Sequence, residues 1–416
     1  MRIGNFSLRL CSIEFLVRLK SLQISSNYNK IPKLGKFLHH IPPLSYWESQ
    51  NLLFNPDILV IGGGIVGLSA ALHSNMRFPE AKILVLERGL LPMGASTKNA
   101  GFACFGSAGE LLDDLATQPE SAVFDLVKNR FDGLTLLRQT LGDSVIEFDP
   151  CGGFELFSST ESLHFSHCHQ SLAYLNQQLQ GITGHMDTYS QVDEKIASFG
   201  FKQTTHMLFN RYEGSIHTGK AMVALWKKCI EQGIMVLNGM DCKALVSVSN
   251  GTKVELHSGH HLFAAKTILA TNAFAVQLLP ELEVKPGRAQ VLITDPIENL
   301  PFSGTFHFDR GYFYFRNVGH RVLFGGGRNL DFEGETSFDF QTTSRIQQQL
   351  ETYLREMILP GKNFQIEQRW SGIMGLGPNR SSILKKLDEH VIVAVRMGGM
   401  GVALGSLIGK KAAEML

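Results

Sequence analysis

Three glycines and one acid carry the first chemistry that can be read in this sequence. Gly62-x-Gly64-x-x-Gly67 stands between the apolar run Asp57–Ile61 and Ile65–Asn75, where small and apolar residues recur at helical spacing. Glu87 follows 20 residues after Gly67 and closes a second apolar run, Lys82–Glu87. Gly62 permits a tight turn, and Gly64, leading into Ile65 and Val66, lets the backbone approach a pyrophosphate. Gly67 lets helix and strand pack closely. The helix N-terminus offers unpaired N–H groups and a partial positive charge to phosphates. Glu87 can accept from a ribose hydroxyl and would repel a 2′-phosphate. Strand, glycine turn, helix and strand make a β-α-β unit of dinucleotide-binding type, and the pattern does not choose between NAD and FAD.

The residues that follow make that choice by resemblance. Arg88-Gly-Leu-Leu-Pro92-x-Gly94-Ala-Ser96-Thr97-Lys-Asn99-Ala100-Gly101-Phe resembles the FAD-binding stretch of the D-amino-acid oxidase/glycine oxidase/sarcosine oxidase superfamily. It is most similar to the bacterial γ-glutamylputrescine-oxidase-like and D-amino-acid-dehydrogenase-like members. The resemblance runs from about Asp57 to Leu416. It takes in Gly214-x-Ile216-x-x-Gly219-Lys220, Thr267–Thr271, Tyr312-x-Tyr314-x-Arg316, Leu323–Arg328, Trp370–Met374 and Met397–Val402. It implies FAD, with Arg88, Ser96, Thr97, Asn99, Ala100 and Gly101 along the cofactor and Gly398, Gly399, Met400, Gly401 and Val402 closing over the flavin. A helix beginning near Gly401 would aim its positive end at the flavin and stabilise charge on the reduced ring. Neither the histidine nor the cysteine that anchors covalent flavin in some relatives stands at a matching place, so the FAD is expected to be non-covalent.

The implied reaction is oxidation of a C–N bond in a small amine or amino acid: hydride leaves the α-carbon of the neutral amine, and the imine then hydrolyses. Position and a dry site matter more here than acid–base groups, because the redox chemistry belongs to the cofactor. The resemblance makes Tyr312 a substrate contact. Arg316 shares its face by period-two alternation and pairs with a substrate carboxylate or with a surface acid. Arg396 binds carboxylate or flavin, or else forms a buried ion pair. Two departures stand out. Met374 occupies the place of a carboxylate-clamping arginine, which a thioether cannot replace. Leu323 falls where sarcosine-oxidase-like members carry a lysine, so the electron acceptor is either dioxygen or a quinone or other carrier. Oxidation of a 2-hydroxy acid uses the same geometry and stays open, as does an NAD-dependent dehydrogenase.

Elements must bring these residues together. Further strands are expected at Gly153–Phe157, Ile234–Leu237, Val246–Leu256, His261–Thr271, Gln290–Thr294, Gly311–Phe315, Arg321–Gly325 and Val391–Val395. Helices are expected at Leu172–Leu179, Gly219–Gln232 and Thr343–Ile358, with a last one running to the C-terminus. Dinucleotide-type elements at both ends imply an α/β fold: a glutathione-reductase-like, Rossmann-type FAD-binding domain with an inserted mixed β-sheet substrate domain. The expected segments are 50–141, 208–282 and 366–416 for the first, and 142–207 and 283–365 for the second. Asn272 stands where many relatives have glycine, which asparagine's tolerance of left-handed backbone allows.

Composition limits the partners. A net charge of +1 over 416 residues gives no footprint for nucleic acid. The longest apolar stretches, Ile58–Leu72 and Val391–Ile408, are broken by glycine, so no transmembrane segment is expected. The 6 cysteines form no C-x-x-C pair. His164-x-x-His167-Cys168-His169 lacks a second ligand group, and no metal is expected. Residues 1–49 form a basic extension in which Arg2, Arg9, Arg18, Lys20, Lys30, Lys33 and Lys36 face Glu14 alone before Glu48. They read as a disordered arm, a targeting peptide or sequence upstream of the true start. The expected location is cytoplasmic, or mitochondrial or another organelle if the extension is a targeting peptide.

Overall fold

A computed structural model describes residues 43–416, and Leu44–Leu416 form one compact unit. The N-terminal extension up to residue 42 lies outside the described residues. In the described residues that follow, Ser45 and Glu48 form a reciprocal capping box that starts a short helix, Tyr46–Asn51.

Two sheets organise the chain. The first has six strands, in the order Ile383–Lys386, Val391–Val395, Lys266–Leu269, Ile58–Ile61, Ile83–Glu87, Met235–Asn238. All neighbours run parallel except the first pair. The central strand, Ile-Leu-Val-Ile, is buried on both faces, which is why it reads as a continuous apolar run. Ile58 and Val60 enter a core shared with the helices Ile65–Arg77, Glu120–Leu141, Thr218–Glu231 and Gly401–Glu414. Leu59 and Ile61 enter a core on the opposite face, shared with a three-stranded sheet spanning Cys242–Val248, Gly251–Leu256 and His261–Ala264.

Eight mixed strands make the second sheet, in the order Ile366–Leu376, Lys285–Thr294, Arg321–Gly326, Phe313–Val318, Thr305–Phe308, Gly153–Phe157, His206–Asn210, Tyr189–Gln191. One face is aromatic: Phe154, Phe306, Phe315 and Phe324 are directly opposed across four strands. Phe306 and Phe315 stack with centroids 4.8 Å apart. The other face carries Glu155, His307 and Tyr314 in the same register and turns toward the first sheet's glycine turns.

Several expectations need correction. The helix expected at Leu172–Leu179 is longer, running from Ser162 to Thr183, and it carries His164, His167 and His169 at helical spacing. Val246–Leu256 is two strands joined by a turn, and His261–Thr271 crosses from one sheet into another. The helices Ala108–Leu115 and Glu120–Leu141 were not foreseen. The boundary at 208 falls inside the strand His206–Asn210. The expected third cofactor segment, 366–416, opens with Ile366–Leu376, which belongs to the eight-stranded sheet.

Candidate active site

The glycine turn after Ile58–Ile61 is fixed by close backbone contacts. Gly62 takes φ +113°, and a Cβ there would lie 2.6 Å from the Ala270 carbonyl oxygen. A Cβ on Gly67 would lie 1.8 Å from the Gly62 carbonyl oxygen, so only glycine lets the helix meet the strand. Gly67 therefore acts through packing and does not line the cavity. Gly62, Gly64, Ile65 and Val66 do line it. Glu87 is buried beside them, its Oε2 accepting from Gly63 N–H at 3.0 Å and its Oε1 from Gly89 N–H at 3.0 Å. A carboxylate has acceptor sites beyond these two. Arg88 lies over the Phe274 ring, 3.7 Å from its centroid.

The loop after Glu87 splits into residues that face the cavity and residues that hold the loop. Ser96 faces it and accepts from Ile65 N–H at 3.0 Å, tying the loop to the helix start. Ala100 also faces it, while Thr97 and Gly101 do not. The Thr97 hydroxyl donates to the Pro92 carbonyl at 2.6 Å. Asn99 borders the cavity, yet its amide is engaged by the loop: Nδ2 donates to Ala95 and Ser96 carbonyls, and Oδ1 accepts from Gly101 N–H and the Thr218 hydroxyl. The Trp370 indole donates to the Lys98 carbonyl at 2.9 Å, fastening the loop to the second sheet.

Gly398, Gly399, Met400, Gly401 and Val402 form the far wall, and the helix Gly401–Glu414 begins at that wall. The cavity is continuous from Glu87 to this turn and onward between the sheets, with a volume of about 1220 Å³. A site for one small ligand occupies roughly 300–1,000 Å³. The space therefore suits a dinucleotide and a second small molecule together, and a glycine-lined backbone cradle beside a buried acid suits the dinucleotide's pyrophosphate and ribose.

Beyond the glycine turn, side chains from distant segments meet. Tyr312 lines this end, with Tyr314 beside it. Arg316 does not reach it. The Arg316 guanidinium is buried and donates from Nε to the Ala100 carbonyl at 2.6 Å and from Nη2 to the Ile216 carbonyl at 2.9 Å. Arg316 is thus a brace for the cofactor loop, and the partners expected for it, a substrate carboxylate or a surface acid, give way to these two carbonyls. Arg396 is likewise turned away, with φ +65°. Its guanidinium donates to the Ser381 and Glu283 carbonyls and to Asn379 Oδ1. Neither a substrate carboxylate nor a buried ion pair accounts for it; carbonyls behind the glycine turn do. Asn272 does adopt the left-handed backbone, at φ +49°, and its Oδ1 accepts from Arg396 N–H.

Sequence reading missed the opposite wall. On the helix Ala108–Leu115, Glu110, Asp113 and Asp114 share one face and line the cavity with Arg310 and Arg380. Glu110 Oε1 lies 2.8 Å from Arg130 Nη1 and 2.5 Å from Arg380 Nη1. Burial pushes the Glu110 carboxyl up, but the two guanidinium groups outweigh it and hold the group below its usual range. Behind lie Glu213, pushed by burial up to about 8, Glu155, pushed by burial up to about 7, and His307, pushed by burial down to about 4. Cys104 also lines the cavity, and burial first, then Glu213, keep its thiol protonated. The three acids at helical spacing were the available signal for this wall.

The chain matches the family model for FAD dependent oxidoreductases over residues 57–415. It belongs to that family. The family's cofactor is FAD, which removes the nicotinamide reading of the glycine pattern, and the protein is an FAD-dependent oxidoreductase. Among curated proteins it is similar to a probable oxidoreductase, OrdL, of Haemophilus influenzae, with 21% identity covering 90% of this chain and 84% of the relative. It is also similar to gamma-glutamylputrescine oxidoreductase of Escherichia coli, with 23% identity covering 89% and 85%. Among solved structures, L-proline dehydrogenase from P. horikoshii superposes with a TM-score of 0.68 at 18% identity, covering 86% of this chain and 92% of the other. Glycine oxidase from Geobacillus kaustophilus gives 0.68 at 16% identity, covering 85% and 92%. These likenesses establish the fold of this FAD dependent oxidoreductase: a Rossmann-type sheet for the cofactor and a mixed sheet facing it. Among the described residues, no helix is long and apolar enough to cross a membrane.

Proposed function

We propose that this oxidoreductase removes hydride from the carbon beside the nitrogen of a small amine or amino acid. The observation that carries the reading is one continuous cavity, which runs from the dinucleotide cradle past the glycine turn into a chamber walled by Tyr312, Tyr314, Ile373, Met374 and Leu376. Bound FAD supplies the hydride acceptor. The chain's own residues position and enclose. Gly62, Gly64 and Glu87 would hold the nucleotide half, with Arg88 and Ser96 alongside. The turn Gly398–Val402 would close over the ring with the start of the helix Gly401–Glu414, the N–H groups of Gly398 and Met400 being held by the Gly375 and Met397 carbonyls. Phe102, Ala289, Ile373 and Leu376 exclude water from the reacting carbon, which strengthens every electrostatic contact there. No residue needs to take the α-proton, since it leaves as hydride. The names of the curated relative acting on γ-glutamylputrescine and of the structural neighbours acting on proline and glycine support a C–N bond over an alcohol.

An absorbance spectrum of the purified protein, followed by an anaerobic screen of amines, amino acids and 2-hydroxy acids, tests this. The expected result is a yellow, acid-extractable flavin bleached by amines or amino acids and not by hydroxy acids. Bleaching by hydroxy acids alone would overturn the C–N assignment. Admitting air, or adding a quinone, then identifies the acceptor. Leu323 is buried against Ala100 and Val291 and places no cation there to favour dioxygen.

A further inference from the structure

We infer that Arg328 is the anchor for a carboxylate on the substrate, so that the site takes amino acids in preference to simple amines. The inference rests on the flavin-dependent oxidation proposed above.

Arg328 follows Gly326 and Gly327, whose φ angles of +118° and +78° end the strand in a turn and send the next side chain back over the cavity face. Its Nε lies 3.4 Å from where a Cβ on Gly287 would sit. Gly287 is directly opposed to Met374 across the two strands, so the guanidinium and the Met374 side chain lie on one face of the sheet. Met374 Sδ in turn lies 3.5 Å from where a Cβ on Gly399 would sit, in the glycine turn. The absent side chain at Gly287 leaves room chiefly for Leu376, whose Cδ1 would lie 2.3 Å from a Cβ there, and Arg328 packs beside that leucine; Arg328, Met374 and Leu376 all line the cavity.

The guanidinium arrives there without a partner. Arg328 Nε is buried and makes no hydrogen bond among the described residues. The neighbouring buried acid, Glu335, is already held by Arg288 Nε at 3.0 Å, Arg288 Nη2 at 2.8 Å and Gln290 Nε2 at 2.8 Å. Across the cavity the situation is reversed: Glu110, Asp113 and Asp114 are each paired with an arginine. The wall near Met374 therefore presents to a space of ligand size a cation that makes no ion pair among the described residues, with the charge of Glu335 acting on it only from a distance. A half-buried guanidinium lacking an acceptor is costly, and a ligand carboxylate offers two oxygens in the geometry of its fork. Phe332, 5.0 Å below the guanidinium carbon, holds the fork in place.

The test uses the FAD-loaded protein and two probes of one shape, benzoate and neutral benzamide, titrated against the flavin absorbance band. Benzoate is expected to bind the natural protein more tightly than benzamide. R328M should weaken benzoate by roughly 10- to 100-fold, the worth of a charged hydrogen-bonded pair, and leave benzamide within about two-fold. R328K, which keeps the charge and loses the fork, should recover part of the loss, and it serves as the informative variant if R328M does not fold. Equal benzoate binding by the natural protein and R328M overturns the inference. So does a loss that follows K285M, the exposed lysine on the same strand as Gly287, in place of R328M. If flavin binds and amines bleach it while benzoate ignores Arg328, only this inference falls. If the chain takes up no FAD, the proposed function falls first and this inference with it.

Discussion

The two ends of the cavity are built from different materials. At the cofactor end the wall is largely backbone: a Cβ on Gly62 or Gly64 would lie 2.6 Å from the Ala270 carbonyl oxygen or 2.8 Å from the Ser96 hydroxyl, Gly398 and Gly399 turn at positive φ, and one buried carboxylate, Glu87, orders the loops around it. At the substrate end the contacts are side chains from segments far apart in sequence, among them Glu110, His307, Tyr312, Arg328 and Arg380. A backbone cradle tolerates almost no change in shape. A side-chain chamber can be rebuilt one residue at a time, which is how one fold comes to serve many substrates.

The sharpest way to break this contrast is to add one methyl group at the cofactor end. In G67A the new Cβ would fall on the Gly62 carbonyl oxygen, and neither backbone can yield. The expected outcome is protein without bound flavin, destabilised by about 1–3 kcal/mol or more, read as flavin content and Tm. As a control, a Cβ at Gly181, on the helix Ser162–Thr183, meets nothing within 4 Å. G181A should keep its flavin and gain about 0.5–1 kcal/mol. If G67A binds FAD normally, the backbone account of the cradle is wrong.

Next in size is Arg316, for which the sequence left a substrate carboxylate or a surface acid as partner and which the structure places under the cofactor loop. R316M would leave the Ala100 and Ile216 carbonyls buried without donors, at about 1–3 kcal/mol each. Tm should fall by several degrees and FAD should bind more weakly. Preference for a carboxylated substrate over its neutral analogue should not change. A selective loss of the carboxylated substrate would return Arg316 to the site.

These two positions show what was legible. Gly62, Gly64, Gly67 and Glu87 announce themselves because local geometry demands those residue types at fixed spacing, and the buried strands around them read as apolar runs. Alternation correctly put Arg316 on the face of Tyr312, but it cannot tell how far along a strand a cavity extends; here the Ala100 loop covers that end. Arg396 misled for a similar reason, since its partners are carbonyls at Glu283 and Ser381 that only the folded chain brings near. Arg328 was passed over because nothing local marks an arginine after three glycines as unpaired. That property belongs to Glu335, Arg288 and Gln290, which settle the charge elsewhere.

A smaller effect should appear in the pH dependence of stability. Burial raises the folded Glu213 carboxyl to about 8, with the N–H groups of Gly106 and Phe105 opposing and the charges of Glu110 and Glu155 adding to the shift. Below the unfolded value both states hold the proton. As pH rises toward 8 the unfolded chain releases it while the folded chain keeps it, so stability falls through this window. Glu155 acts in the same direction up to about 7, while His307, lowered to about 4, acts oppositely below its ordinary value. The interval from pH 7 to 8 therefore isolates Glu213. E213Q keeps the acceptor for Phe105 and Gly106 without the charge, and it should flatten the decline in Tm over that interval while matching the natural protein near pH 5. An unchanged slope would mean that Glu213 ionises freely in the folded state.

The smallest expected effect separates a wall from a contact. Tyr312 is 37% exposed at the mouth of the chamber, with its ring edge-on to Phe332 at 5.8 Å. The same Phe332 lies under Arg328. If Tyr312 serves by holding Phe332, and through it the guanidinium, the ring is what matters. Y312F should then match the natural protein, while Y312A should raise KM by roughly 2- to 10-fold, the worth of one aromatic pair, with kcat unchanged. If the hydroxyl itself touches the substrate, Y312F alone should raise KM, and it should do so equally in an R328M background. Measuring both substitutions with and without Arg328 assigns the tyrosine: coupling to Arg328 makes it a positioning residue, and independence from Arg328 makes it a contact in its own right.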